Sequence, residues 1–255
     1  MAETRKTSHG EEIIVLSSDE FQEMFVTSHR QGEHVAIVGP TGSGKTVLGL
    51  TLCKLIGSRR TPNNRPASVT VLVYKPRDDT MRMVLPREEW KVIKKWPPRY
   101  GEEHAIVWVR GKTPDSAKRA HRAVFKPLLD AMYQEGKQTV YIPEAAHFER
   151  KWPDGLGMSG TMTELWSSGR SLKLTVISDT QRPRWVTVSM WSEPSWVMIY
   201  RPEHQEDLIH VAKLSGQGRT VLEAVNNLGE HEFVCVRRQR GKGGKRAVYV
   251  SRIDI

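Results

Sequence analysis

Residues 39–46, Gly-Pro-Thr-Gly-Ser-Gly-Lys-Thr, match G-x-x-x-x-G-K-[ST] at every position. Glycine tolerates the left-handed backbone that turns successive N–H groups toward a single point. Such a loop needs a strand to deliver the chain and a helix whose first N–H groups face the same anion. Both flanks comply, with the apolar "HVAIV" before the loop and "VLGLTLCKLIG" after it. Gly39, Pro40, Thr41, Gly42, Ser43, Gly44, Lys45 and Thr46 are therefore expected to cradle a nucleotide. Lys45 would reach the β/γ-phosphate oxygens and the Thr46 hydroxyl would ligate Mg²⁺.

The rest of the chain continues this alternation. "EIIVL" reads as a short strand, and "SSDEFQEMF" as a helix with Ser17 and Glu20 at capping-box spacing. "SVTVLVYKP", "AIVWV", "TVYIP", "KLTVISDTQRP" and "SWVMIYRP" read as buried strands. Residues 115–136, with Ala117, Ala120, Val124, Leu128, Leu129 and Met132 at helical spacing, and "TMTELWSSGRSL" read as helices between them. The pattern implies a three-layer α/β fold with a mostly parallel sheet. "PREEWKVIKKWPPRYGEEH" is expected to be a surface elaboration, and "EFVCVRR" and "RAVYVSRI" an antiparallel hairpin.

At 255 residues the chain can bury a sizeable core, and its longest apolar runs fall far short of the ~20 residues of a membrane span. The polar start, "MAETRKTSHGEE", lacks the apolar stretch of a secretory signal, so a soluble cytoplasmic protein with a frayed tail is expected. Cys53 and Cys235 form no metal-type cluster or disulfide framework. The net charge of +10 favours nucleic acid as a partner.

A phosphate loop alone does not separate kinases, GTPases and motors. No N-K-x-D guanine-reading motif is present, which disfavours a GTPase. "TVYIP" ends at Glu144, where a motor places the base that orients the attacking water, and 26 residues later "SSGRSLKLTVISDTQRP" carries a Gly-Arg pair and a strand ending in Thr180-Gln181. Together with "GPTGSGKT" and "MIYRPEHQEDLIHVAKLSG", these segments resemble the FtsK/HerA superfamily of DNA-pumping P-loop ATPases, phage genome-packaging ATPases above all, from about Val35 to Arg238.

The resemblance implies the additional-strand, RecA-like form of the fold, with ATP and Mg²⁺ as cofactors. It implies that Arg170 acts as a finger on a neighbouring subunit's nucleotide and that Gln181 senses the γ-phosphate, beside Lys45 and Glu144. It further implies a ring of five or six subunits around double-stranded DNA, a phage portal or transfer apparatus as a further partner, and the host cytoplasm as location if phage-encoded. On this reading residues 1–11 are a flexible tail, 12–236 the ATPase motor domain and 237–255 a basic hairpin of the same domain.

One position departs from the family. Pro143 stands where the pattern has an aspartate that supports the metal's hydration shell, and proline offers neither carboxylate nor N–H. Three readings follow. Glu144 serves both metal and water, nucleotide binds with slow turnover, or a carboxylate from another strand approaches, with Asp78, Asp79 and Asp179 as candidates. Thr46 and Glu144 are then the metal-side residues.

For DNA, "RRQRGKGGKR" sets six basic residues, Arg237, Arg238, Arg240, Lys242, Lys245 and Arg246, with three glycines at the expected hairpin tip. "KVIKKWPPR" and "RPRW" also mix cations with Trp, a composition that serves packing as well as base stacking. The leading expectation is an ATP-driven DNA translocase. The alternatives are a nucleotide-gated DNA-binding protein that barely hydrolyses, which Pro143 keeps open, and a small-molecule P-loop kinase, disfavoured by the lack of an arginine-rich lid segment.

Overall fold

A computed structural model describes residues 3–86, 88–94, 104–238 and 246–254, Arg246 by its backbone only. The chain opens with an antiparallel pair, β1 (Glu3–Lys6) and β2 (Glu12–Val15). Where the polar composition suggests a frayed tail, Glu3–Lys6 instead form the outer edge strand of the sheet, joined to β2 by residues 7–11. Ser8 explains part of the difference, since its N–H and hydroxyl both donate to the Glu223 carboxylate, 2.8 and 2.7 Å away, a contact 215 residues distant in sequence.

Helix α1 (Ser18–Ser28) starts on the expected capping box, with the Ser17 hydroxyl accepting from the Glu20 N–H and the Glu20 carboxylate accepting from the Ser17 N–H. The apolar run Val35–Val38 is β3, and the phosphate loop leads into α2 (Lys45–Gly57). β4 (Val69–Val73) is buried throughout, as a strand covered on both faces must be. A short α3 (Asp79–Val84) follows.

The expected surface elaboration is partly built into the sheet. Lys91–Ile93 forms β5, an edge strand parallel to β6 (His104–Trp108), and the buried Trp90 stacks on His104 with ring centroids 4.7 Å apart. Residues 95–103 lie outside the described residues.

Helix α4 (Pro114–Glu135), capped by Thr113, buries Phe125, Leu128, Leu129 and Met132 and delivers the chain to β7 (Thr139–Ile142). Full burial of each such side chain contributes roughly 1.5–3 kcal/mol relative to exposure. A one-turn helix, α5 (Ala145–Glu149), precedes α6 (Ser159–Ser168). The periodicity suggests a helix reaching residue 172; it ends at Ser168, so Arg170 sits in the turn that enters β8 (Thr175–Thr180). After a 3-10 turn at Pro183–Trp185 come α7 (Ser189–Ser192), β9 (Trp196–Ile199), α8 (Gln205–Ser215) and α9 (Gly218–Asn226). β10 (Glu232–Arg238) and β11 (Arg246–Arg252) form the expected antiparallel hairpin.

All eleven described strands join one sheet in the order β1-β2-β11-β10-β9-β3-β8-β7-β4-β6-β5. From β9 to β5 every pairing is parallel. β8 lies between β3 and β7, so a strand is inserted between the phosphate-loop strand and the strand that ends at Glu144. One core cluster, including Phe125, Leu129 and Trp166, fills one face of the sheet; another, including Leu48, Cys53 and Tyr141, fills the face covered by α1 and α2. No described helix is long and apolar enough to cross a membrane.

Candidate nucleotide site

The carboxyl ends of β3, β7 and β8 meet at one point, the location at which open α/β sheets bind their ligands. Gly42 and Gly44 adopt φ of 80° and 98°, the left-handed backbone that turns the loop's N–H groups inward. Gly44 caps α2 without any side-chain hydrogen bond, which leaves the helix's first N–H groups available to an anion. The Lys45 side chain is buried, and its ammonium donates to the Pro40 carbonyl at 2.6 Å. Burial lowers the Lys45 pKa, while the negative charges of Asp179 and Glu144 oppose that shift.

Glu144 follows Pro143 with a left-handed backbone, φ 50° and ψ 69°. This conformation is uncommon for glutamate and costs of order 1 kcal/mol or more, a strain that functional sites tolerate. It turns the carboxylate toward β8, where Oε1 accepts from the Thr180 hydroxyl at 3.0 Å. Burial first, and then the neighbouring charge of Asp179, raise the Glu144 pKa. At the end of β8, the exposed Gln181 accepts from the Thr41 hydroxyl at 2.9 Å, tying strand end to phosphate loop. Thr41, Lys45, Glu144 and Gln181 thus stand at the same, carboxyl end of the sheet.

Of the three carboxylates considered as substitutes for the missing aspartate, two are committed elsewhere. Asp78 caps α3 by accepting from the Met81 N–H at 3.0 Å, and the largely exposed Asp79 pairs with Arg82 at 3.7 Å. Asp179 is buried inside β8, accepts from the Tyr141 hydroxyl and faces the Glu144 N–H at 3.3 Å. The buried hydroxyls of Ser43 and Tyr200 have no hydrogen-bond partner among the described residues. Unpaired buried hydroxyls at a phosphate loop fit an incoming polyphosphate, since leaving them unsatisfied is costly. Thr46, Glu144 and Asp179 present the oxygen donors that Mg²⁺ takes, most of its shell being water and phosphate. Among the described residues no three His, Cys, Asp or Glu cluster as a self-sufficient metal site.

Arg170 lies apart from this group. Its backbone packs against Gly32, and its side chain lines a basic cleft with Arg30, Lys173 and Arg237 at the amino ends of β3, β8 and β9. The six residues of β8, at about 3.3 Å each, put that cleft about 20 Å from the phosphate-loop end of the sheet. The exposed guanidinium cannot reach its own chain's phosphate loop.

The basic hairpin divides. The Arg238 guanidinium donates to the carbonyls of Trp191 (2.5 Å), Ser192 (3.3 Å), Pro194 (3.3 Å) and Leu214 (2.5 Å), clamping α7 and α8 to β10. Arg237 lies 4.9 Å above the Trp196 ring and donates to the Ser28 carbonyl. Both are held by the chain itself. Arg240, Lys242 and Lys245 lie outside the described residues, as does the Arg246 side chain. In "RPRW", Arg184 pairs with Asp207 at 3.0 Å and Glu206 at 2.7 Å, while Trp185 is 55% exposed between the guanidinium groups of Arg150 and Arg182.

One buried acid titrates near neutrality. Glu149, at the end of α5, accepts from the Thr187 N–H at 2.5 Å, and burial pushes its pKa up to about 7 from an ordinary 4.5. Between these values the folded chain holds a proton that the unfolded chain has lost, so stability falls as pH rises through that window and levels off above it. Glu149→Gln removes this loss. In thermal and urea unfolding its stability relative to the native chain is expected to gain about 3 kcal/mol between pH 4.5 and 7.5.

Comparison of the sequence with family models and with curated proteins finds no match. Solved structures do match. The genome-packaging NTPase B204 of Sulfolobus turreted icosahedral virus 2, in complex with AMPPCP, superposes with a TM-score of 0.56 over 88% of this chain and 99% of its own, at 14% identity. The conjugation coupling protein TcpA of pCW3, with ATPγS, gives 0.50 over 100% of this chain and 66% of its own, at 13% identity. EccC of Thermomonospora curvata, in a structure of ATPases 2 and 3, gives 0.51 over 100% and 41%, at 11% identity. With its inserted β8 and its phosphate loop, the chain shares the α/β fold, with a mostly parallel central sheet, of these ATPase structures.

Proposed function

We propose that the chain is an ATP-hydrolysing motor subunit that moves double-stranded DNA, working in a ring of like subunits. The observation that carries this reading is the division of the expected machinery between two ends of one sheet. Lys45, Thr46, Glu144 and Gln181 gather at the carboxyl ends, and Arg170 stands at the amino ends. A cleft facing away from its own nucleotide is what a subunit needs to complete its neighbour's site. The packaging and coupling functions of the structural neighbours supply the choice of DNA as cargo.

Phosphoryl transfer asks the protein for position and charge more than for covalent chemistry. The loop N–H groups and Lys45 hold the phosphates, and Glu144, fixed by Thr180, orients the attacking water and takes up its proton. Gln181 links the γ-phosphate region to β8 through Thr41, so loss of the phosphate is transmitted to the sheet. Arg170 of an adjacent subunit neutralises charge developing on the transferred group. Thr46 and Glu144 would hold Mg²⁺, which would supply positive charge against the charge developing on the phosphates. The cations Arg240, Lys242, Lys245 and Arg246 of the hairpin tip follow the DNA backbone without reading sequence.

The test is ATP hydrolysis by the native chain and by Lys45→Ala, with and without linear double-stranded DNA. DNA-stimulated turnover that Lys45→Ala abolishes is expected, together with DNA affinity that falls steeply with salt. Turnover no greater than that of Lys45→Ala under all conditions would sink the motor reading.

A further inference from the structure

Proline at position 143 removes the carboxylate that the β7 strand end would supply, and the register of the sheet shows what stands beside the gap. β7 and β8 pair in parallel, with Tyr141 opposite Ile177 and Ile142 opposite Ser178. One further step places Pro143 opposite Asp179. Tyr141 and Ile177 share the core on the α2 face. With a side-chain period of two, Pro143 and Asp179 project from that same face. Neighbouring strands lie about 4.8 Å apart, so the carboxylate has moved one strand sideways, toward the phosphate-loop strand β3, where Ile37 is its other neighbour.

We propose that Asp179 supplies from β8 the metal-supporting carboxylate that Pro143 denies to β7, with Tyr141 as the residue that positions it. The proposal rests on the nucleotide-site reading above and concerns only how that site holds its magnesium.

The surroundings are built for such a carboxylate. The Tyr141 hydroxyl donates to Oδ2, and the Glu144 N–H approaches Oδ1 at 3.3 Å. Tyr141 reaches this place because α2 carries Gly49 opposite it; a Cβ there would fall 2.7 Å from the tyrosine ring. The Glu144 N–H is aimed at Asp179 by the same left-handed turn that swings the Glu144 carboxylate onto Thr180. Asp179 is the register partner of Ile37, two residues before the phosphate loop begins at Gly39, which sets it at the loop's end of the sheet. Tyr200, directly after β9, packs against Gly39 of the phosphate loop, its buried hydroxyl lacking a partner among the described residues. A buried aspartate with two fixed donors, beside a second carboxylate and facing a phosphate loop, gains most from a cation whose waters it can accept. Tyr141 and Glu144 would orient it as outer partners orient other metal-supporting carboxylates.

The competing explanation is a purely structural aspartate that secures the turn at Glu144. The two separate in the affinity of a fluorescent, non-hydrolysable ATP analogue, measured with Mg²⁺ and in EDTA, for the native chain, Asp179→Asn, Tyr141→Phe and Asp179→Asn/Pro143→Asp. In Asp179→Asn the gain in affinity on adding Mg²⁺ is expected to shrink about 10- to 100-fold, with EDTA affinity retained. Tyr141→Phe should show a smaller loss of the same kind, and Pro143→Asp should restore the Mg²⁺-dependent gain. Equal loss with and without Mg²⁺, or an unchanged Mg²⁺ dependence, overturns the proposal and leaves the nucleotide site standing. A native chain that binds no analogue at all overturns both.

Discussion

Arg170→Ala is expected to lower ATP turnover of the assembled protein by about 10³- to 10⁵-fold, the range measured for arginine fingers, and to leave nucleotide affinity of the isolated chain unchanged. The physical basis is distance. Arg170 occupies the turn before β8, in the cleft with Arg30, Lys173 and Arg237, while its own phosphate loop follows the opposite end of the sheet. An arginine that acts only across an interface makes a further result testable. Arg170→Ala and Lys45→Ala subunits are each expected to be inactive alone. In a mixture, an intact phosphate loop on one subunit would meet an intact Arg170 on its neighbour, and part of the turnover is expected to return. A cis role predicts no recovery on mixing, and turnover within a few-fold of native for Arg170→Ala would remove the finger altogether.

Glu144→Gln is expected to cost about 10²- to 10⁴-fold in kcat, the usual contribution of a positioned base, with ATP affinity retained. Glutamine can keep the acceptor used by the Thr180 hydroxyl and occupies the same volume, so the turn after Pro143 should survive. What it loses is the capacity to accept a proton from the attacking water. Pre-steady-state measurement of bound ATP and released phosphate separates the two effects. A fall in affinity comparable to the fall in kcat would instead mean that Glu144 holds the loop or the metal and does not act as the base.

The chain's local features were legible because their contacts are short-range. The capping box at Ser17 and Glu20, the glycine turns of the phosphate loop and the apolar periodicity of α4 each involve residues three or four apart. Continuous apolar runs likewise marked β3, β4, β7, β8 and β9 as interior strands of a parallel sheet. Composition misled at the edges. The polar residues 3–6 pair with β2, which satisfies their backbone groups while their side chains stay in water, and Ser8 just beyond them donates to the Glu223 carboxylate. Lys91–Ile93 lies in a lysine-rich stretch and still forms an edge strand, where solvent takes the charges. Arg238 sits in a run that reads as a DNA-binding tip, yet four backbone carbonyls claim its guanidinium.

The sequence by itself determined that this chain folds as an α/β protein around a phosphate loop, and that Glu144 and Gln181 stand at strand ends. Tertiary structure alone decided which strands are neighbours and in what register. Asp179 lies 36 residues from Pro143 and becomes its lateral neighbour only through the pairing of β7 with β8. Arg170 lies 11 residues before Gln181 and yet stands at the opposite end of the same strand. Side-chain chemistry is written residue by residue, whereas parallel register depends on backbone hydrogen bonds between segments whose connection runs through a helix, and no local pattern records it.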